Sequence, residues 1–196
     1  MPGRPRSTEI PCPNCSKKAW FVEVSHDVPH FGRTLFTTVD CPHCGFRLSD
    51  VLPAEFHDPT CFTAEVKKPR DLETKIIRSS SGILKISKLG VSVEPGNAAE
   101  GFISNVEGLL DRVEAALKAI AFDAGSPARK AAEKKLKQIQ RARQGKLAFT
   151  VTLSDPFGNS GMVGFHVKQR KLSASEVKKL QTGLSVLELR PRPEAN

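Results

Sequence analysis

Long apolar runs are missing from this chain of 196 residues, and none approaches the length of a membrane-spanning helix. The opening residues, Met1-Pro2-Gly3-Arg4-Pro5-Arg6, contain no apolar core of a secretory signal. Five cysteines without such a signal point to a reducing, cytoplasmic setting and to no membrane partner. Catalytic signatures are equally scarce. None of the five histidines, His26, His30, His43, His57 and His166, forms the i, i+4 pair with a glutamate that a zinc protease needs. Gly158-Asn159-Ser160-Gly161 lacks the lysine of a phosphate-binding loop. A thioredoxin-like redox centre needs one C-x-x-C in a βαβ unit, and the chain offers neither. The expectation is therefore a protein that is not an enzyme.

What is present is a doubled knuckle. Cys12-Pro13-Asn14-Cys15 and Cys41-Pro42-His43-Cys44 are each C-x-x-C, with 25 residues between them. Four soft thiolates in two tight turns suit one tetrahedral zinc ion with no open position. Such an ion holds a small module together and does not activate water. A four-thiolate iron centre is the rival, because rubredoxin-like sites use the same paired knuckles; disulfides are a third reading. Cys61 stands apart and reads as a small buried apolar residue.

Charge is uneven. The chain carries 30 Lys and Arg against 21 Asp and Glu, a net charge of +9. Residues 1–60 hold six basic and seven acidic residues, whereas 118–146 hold nine basic residues and only Asp123 and Glu133 as acids. A finger that reads nucleic acid carries its own positive surface to meet phosphates, and this one does not.

Between the knuckles, 19–24 and 34–39 are rich in β-branched and aromatic residues and read as two strands, with 26–32 as their loop. Residues 46–51 continue as a strand. Short strands follow over 72–78, 82–86 and 91–94, a spacing that suggests a sandwich or small barrel. Ser104-Asn105-Val106-Glu107 fits a capping box opening a helix. Val106, Leu109, Leu110, Val113, Leu117 and Ile120 form its apolar stripe. Gly125-Ser126-Pro127 breaks and restarts it, and a cationic helix with Ala131, Ala132, Leu136 and Ile139 on its inner face runs to about Gly145. Together these predict an exposed helical hairpin whose first helix packs on the core. Residues 147–153 alternate as a half-buried strand, 155–160 form a turn, and 162–167 form another strand. Ser173-Ala174-Ser175-Glu176 is a second capping box, for a helix ended by Gly183, and 184–189 reads as a last strand.

Several of these segments together resemble the ZPR-type zinc-finger domain family. They are the two knuckles, Val28-Pro29-His30-Phe31-Gly32, Leu89-Gly90-Val91-Ser92-Val93-Glu94-Pro95-Gly96, Ile103-Ser104-Asn105-Val106-Glu107-Gly108-Leu109-Leu110 and Asp155-Pro156-Phe157-Gly158-Asn159-Ser160. Eukaryotic members carry two such units in tandem; this chain carries one, like the archaeal form. The resemblance implies an α+β, mainly β fold: a zinc ribbon at 8–52, then at 53–190 a domain similar to a double-stranded β-helix. A helical hairpin is inserted in that domain at about 105–145, and 191–196 is a disordered tail. It implies Cys12, Cys15, Cys41 and Cys44 as ligands of one structural Zn2+. It also implies binding to translation elongation factor 1-alpha, with help in that factor's folding or assembly.

The surfaces expected to meet a partner are Pro29, His30 and Phe31 at the finger hairpin, and Asp155, Phe157 and Asn159 in the later loop. Phe31 and Phe157 serve as aromatic anchors if they face solvent. An aspartate before proline in a turn is more often structural. Lys130, Lys134, Lys135, Lys137, Arg141 and Arg143 form a basic patch. That patch supports an alternative, an RNA- or ribosome-associated protein, although a solvated helix face is the favoured reading.

Overall fold

The computed structural model describes residues 4–29, 31–54, 57–95, 100–123 and 126–180. His30, Gly125, Gly183, the 184–189 strand and the 191–196 tail expected from the sequence lie outside the described residues.

Four antiparallel strands make the N-terminal sheet: β1 (Arg6–Pro11), β2 (Lys18–Val28), β3 (Gly32–Asp40) and β4 (Arg47–Pro53), in that order. The β2–β3 ladder runs to Val28↔Gly32, so the expected loop over 26–32 shrinks to 29–31. His26 and Asp27 pair with Thr34 and Arg33 instead of looping. Gly32, at φ 72°, takes the left-handed conformation that closes a three-residue hairpin loop. β1 is a strand that periodicity does not reveal, because nearly every residue of it is exposed.

The second unit has two sheets. One contains β5 (Thr60–Val66), β7 (Ile83–Ile86), β8 (Val91–Val93), β10 (Phe149–Asp155) and β12 (Val167–Lys171), in the order β12-β5-β10-β7-β8. The other contains β6 (Lys75–Arg78), β9 (Phe102–Asn105) and β11 (Gly161–Val163), in the order β11-β6-β9. The expected strand over 72–78 begins as a 3₁₀ turn, Pro69–Glu73, because proline at its start favours a helical turn. The expected strand over 162–167 divides into β11 and β12 around an exposed turn. Leu84, Val151, Leu153, Ile76 and Met162 are buried in a single core that Val106, Leu109, Leu110 and Val113 also join.

Two helices, α1 (Val106–Asp123) and α2 (Ser126–Arg143), stand between β9 and β10. Asn105, not Ser104, caps α1: its Oδ1 accepts from the N–H of Gly108 at 2.8 Å. The stripe stops short of its predicted end, since Ile120 is exposed. The second helix is tied down as well, because Ile139 and Ala142 reach the main core, while Ala131 faces solvent. Arg143 fastens the pair by bridging to Glu107, Asp111 and Glu114 of α1. A short α3 (Ala174–Lys179) follows β12, capped reciprocally by Ser173 and Glu176 as the sequence predicts. Among the described residues no helix is long and apolar enough to cross a membrane.

A candidate metal centre and the cleft beside the finger tip

The two knuckles adopt the same backbone. The N–H of Ser16 bonds to the carbonyl of Cys12 at 2.9 Å, and that of Gly45 to Cys41 at 3.0 Å. Likewise the N–H of Cys12 bonds to Lys17 and that of Cys41 to Phe46. Both turns then need a left-handed residue after the second cysteine. Gly45 supplies it at φ 70°, and Ser16 adopts it at φ 59°.

This pairing brings the four Sγ atoms of Cys12, Cys15, Cys41 and Cys44 within 4.8 Å of one another. Cys12 to Cys44 and Cys15 to Cys41 are each 3.7 Å apart. A tetrahedron of thiolates about 2.3 Å from zinc has edges of about 3.8 Å, so the spacing fits the ion. The N–H of Asn14 points at Cys12 Sγ (3.4 Å) and its side-chain amide at Cys44 Sγ (3.6 Å), both favouring thiolates. The N–H of Phe46 and then the Asn14 amide push the Cys44 thiol down to about 6. Cys15 is pushed up to about 12: the N–H of Lys17 opposes the rise, but burial and the three neighbouring sulfurs outweigh it. Four sulfurs this close cannot all be thiolates without a cation, and a divalent ion removes the conflict. The residues therefore fit one zinc ion. His43 is exposed in its turn and contributes no atom to the cluster.

Around the sulfurs the apolar support is small: Ala19 is buried with Cys12 and Cys41, and Ile10, Val39 and Phe46 pack at its edge. The ribbon therefore depends on the ion for its fold.

The second part of the site lies at the far end of the ribbon. The ring of Phe31 sits against Gly161 so closely that a Cβ there would lie 2.7 Å from Cδ1 and Cε1. Phe31 is thus half-buried against the second unit rather than free. Pro29 is exposed beside it, and Phe157 is 38% exposed. A cleft of about 350 Å³ opens between Phe31, Thr34 and Pro53 on the ribbon side and Asn159, Ser160 and Gly161 on the other. The finger tip and the 155–160 loop, distant in sequence, therefore share one edge of the molecule.

Asp155 does not belong to that exposed edge. It is fully buried and accepts four hydrogen bonds: from Ser79 and Ser160 at Oδ2, and from Ser81 and the N–H of Phe157 at Oδ1. It therefore shapes the loop instead of meeting a partner. Gly158 completes the loop at φ 69°, packed on the carbonyls of His57 and Asp58. Ser79-Ser80-Ser81, the turn between β6 and β7, is a two-sided clamp. Ser79 and Ser81 hold Asp155, while the N–H and hydroxyl of Ser80 hold Asp50 of β4. A run of serines before glycine gives no signal that its members face opposite partners.

The basic patch does not act as a unit. Lys135 donates to the carbonyl of Gly90 and Arg143 is engaged by α1, whereas Lys130, Lys134, Lys137 and Arg141 face solvent.

Comparison with known proteins accounts for both units. Residues 6–58 match the ZPR1 zinc-finger domain and residues 70–182 the ZPR1 jelly-roll domain. An uncharacterised ZPR1-like protein of Methanocaldococcus jannaschii is 40% identical over 183 residues, covering 92% of each chain. Another, from Pyrococcus horikoshii, is 40% identical over 178 residues, 88% of this chain and 80% of that one. The zinc finger chaperone of Schizosaccharomyces pombe is 30% identical over 162 residues, 79% of this chain but 35% of the yeast protein. The chain belongs to the ZPR1 family.

Proposed function

We propose that this ZPR1-family protein is a zinc-stabilised, cytoplasmic protein-interaction factor that binds translation elongation factor 1-alpha and assists its folding or assembly. The observation that carries the reading is the shared edge made by the finger tip and the 155–160 loop around the cleft. The zinc ion has no vacant position, so its part is to fix the ribbon and hence the direction of the hairpin. Pro29 at the tip, with Phe31 behind it, and Phe157 with Asn159 in the loop supply the contacts, to which His30 is added from the sequence alone; Asp155 holds the loop in shape. Membership of a family that includes a protein named a zinc finger chaperone supports a role toward other proteins.

The test is direct binding of purified, zinc-loaded protein to its host's elongation factor by calorimetry. Phe157→Ala is expected to weaken binding by about 2 kcal/mol, roughly thirtyfold, as for a central aromatic anchor. Zinc content and melting temperature serve as controls for folding. Absence of binding by the unaltered protein to any nucleotide state of the factor overturns the reading.

A further inference from the structure

The outer face of α2 carries a charge array that neither the metal centre nor the cleft uses. At 100° per residue, Lys130, Lys134, Lys137 and Arg141 fall within about 60° of arc on the helix. Ala132, Ile139 and Ala142, the buried residues of α2, lie on the opposite side. The four cations are spread over 12 residues, 11 rises or about 16 Å of helix at 1.5 Å per residue. All four are exposed. Their neighbours are engaged within the protein: Arg129 pairs with Glu133 and Arg143 with three acids of α1, while the Lys135 ammonium donates to the Gly90 carbonyl. Among the described residues, none of the four has an acidic side chain within ion-pair distance. The structure thus separates a continuous, unbalanced stripe from the cations that hold the hairpin together.

The chemistry around the stripe narrows its partner. Protein interfaces centre on buried aromatic or aliphatic anchors, and this stripe contains only Lys and Arg, flanked by Gln140, Gln144 and Glu133, whose carboxylate pairs with Arg129. Binding a single strand relies on bases stacked on aromatic rings, which the stripe also lacks. A duplex backbone needs neither, only cations in line with phosphates and amides able to donate to them.

We propose that the outer face of α2 docks on the phosphate backbone of a double-stranded nucleic acid, through Lys130, Lys134, Lys137 and Arg141, without reading its sequence. The ribbon stays near neutral and takes no part. This surface is separate from the Phe31–Phe157 edge, so the two partners are independent.

Fluorescence anisotropy of the zinc-loaded, full chain with a labelled 20-base-pair RNA duplex, titrated at several salt concentrations, tests the idea. Four phosphates neutralised at about 0.9 counterions each give a slope of log affinity against log salt of about −3.6. Affinity then falls on the order of a hundredfold between 50 and 200 mM salt. Lys134→Gln with Lys137→Gln is expected to halve the slope, to about −1.8. Lys85→Gln with Lys168→Gln, which removes the same charge elsewhere, is expected to leave it unchanged. No retention of the duplex at 50 mM salt overturns the proposal. So does an equal change of slope in both double variants, or tighter binding of a single-stranded oligonucleotide of the same length.

Discussion

Asp155 illustrates how a single residue can be indispensable to a surface without being on it. Its two oxygens satisfy three serine hydroxyls and one backbone N–H inside the protein. Asp155→Ala removes the acceptor shared by those four donors, and the three hydroxyls can make up only part of the loss among themselves, Ser79 Oγ lying 2.8 Å from Ser81 Oγ and 3.2 Å from Ser160 Oγ. Because each buried donor left without a partner costs about 1–3 kcal/mol, a loss of about 3 kcal/mol is expected, seen as a fall of roughly 6–12 °C in melting temperature. Gly158→Ala acts on the same loop by a different cause: left-handed backbone, and a Cβ placed 2.6 Å from the carbonyl oxygens of His57 and Asp58. A cost of about 2 kcal/mol is expected in the same melting experiment. At this scale the sequence was informative about the metal and silent about the clamp. Four cysteines in two knuckles name their own ligand set, because only a soft cation satisfies them all. The carboxylate and two of its three serines, Ser79 and Ser81, lie more than seventy residues apart, and only the docking of β10 on the turn after β6 brings them together.

Among the elements, α3 offers a pH test. Arg170 first, and then the N–H and hydroxyl of Ser173, hold the Glu176 carboxyl well down, at about 2. The unfolded carboxyl titrates near 4.3. A depressed folded-state value means that the cap's contribution is present above that point and is lost as the pH falls toward 2. The protection factors of the Glu176 and Val177 amides, taken against the intrinsic exchange rate at each pH, are therefore expected to be high at pH 6 and to fall between pH 4 and 2. In Glu176→Gln the protection at pH 6 is expected to be weaker and the acid step absent. This cap was legible because a capping box is local in sequence. Local signals also located the finger hairpin and both long helices. They do not reveal β1, β5 or β9, the last because a capping box at Ser104 reads its end as the start of a helix. β1 is an exposed edge without alternation, and β5 carries polar residues at Thr60, Thr63 and Glu65 between its buried ones. For the second helix the sequence predicts an exposed position with only the first helix on the core, because its apolar residues are few. What anchors it is Ile139 and Ala142 reaching the common core and the triple bridge from Arg143, both set by how the hairpin closes.

For the whole molecule the two units draw on different sources of stability. The second rests on a core of buried aliphatic side chains from both sheets and α1. The ribbon buries little beyond two of its cysteines and Ala19, so the ion carries it. Zinc is commonly worth about 10–16 kcal/mol of folding free energy in small fingers. Mass spectrometry of the purified protein is expected to find about one zinc per chain, and chelation or Cys41→Ser is expected to abolish it and to melt the ribbon. A separate transition for the second unit should persist in calorimetry. Loss of all cooperative structure on chelation would show instead that Asp50 and Phe31 make the two units interdependent. The sequence by itself determined the four-cysteine ligand set, the ribbon plan, the mainly β second unit and its inserted helices, because ligand spacing, strand alternation and helix caps are encoded within short stretches. The tertiary structure alone decided that the finger tip meets the 155–160 loop, that Asp155 is a brace, and which cations remain unbalanced. Those outcomes depend on side chains distant in the chain coming into contact, and short-range patterns carry no record of such contacts.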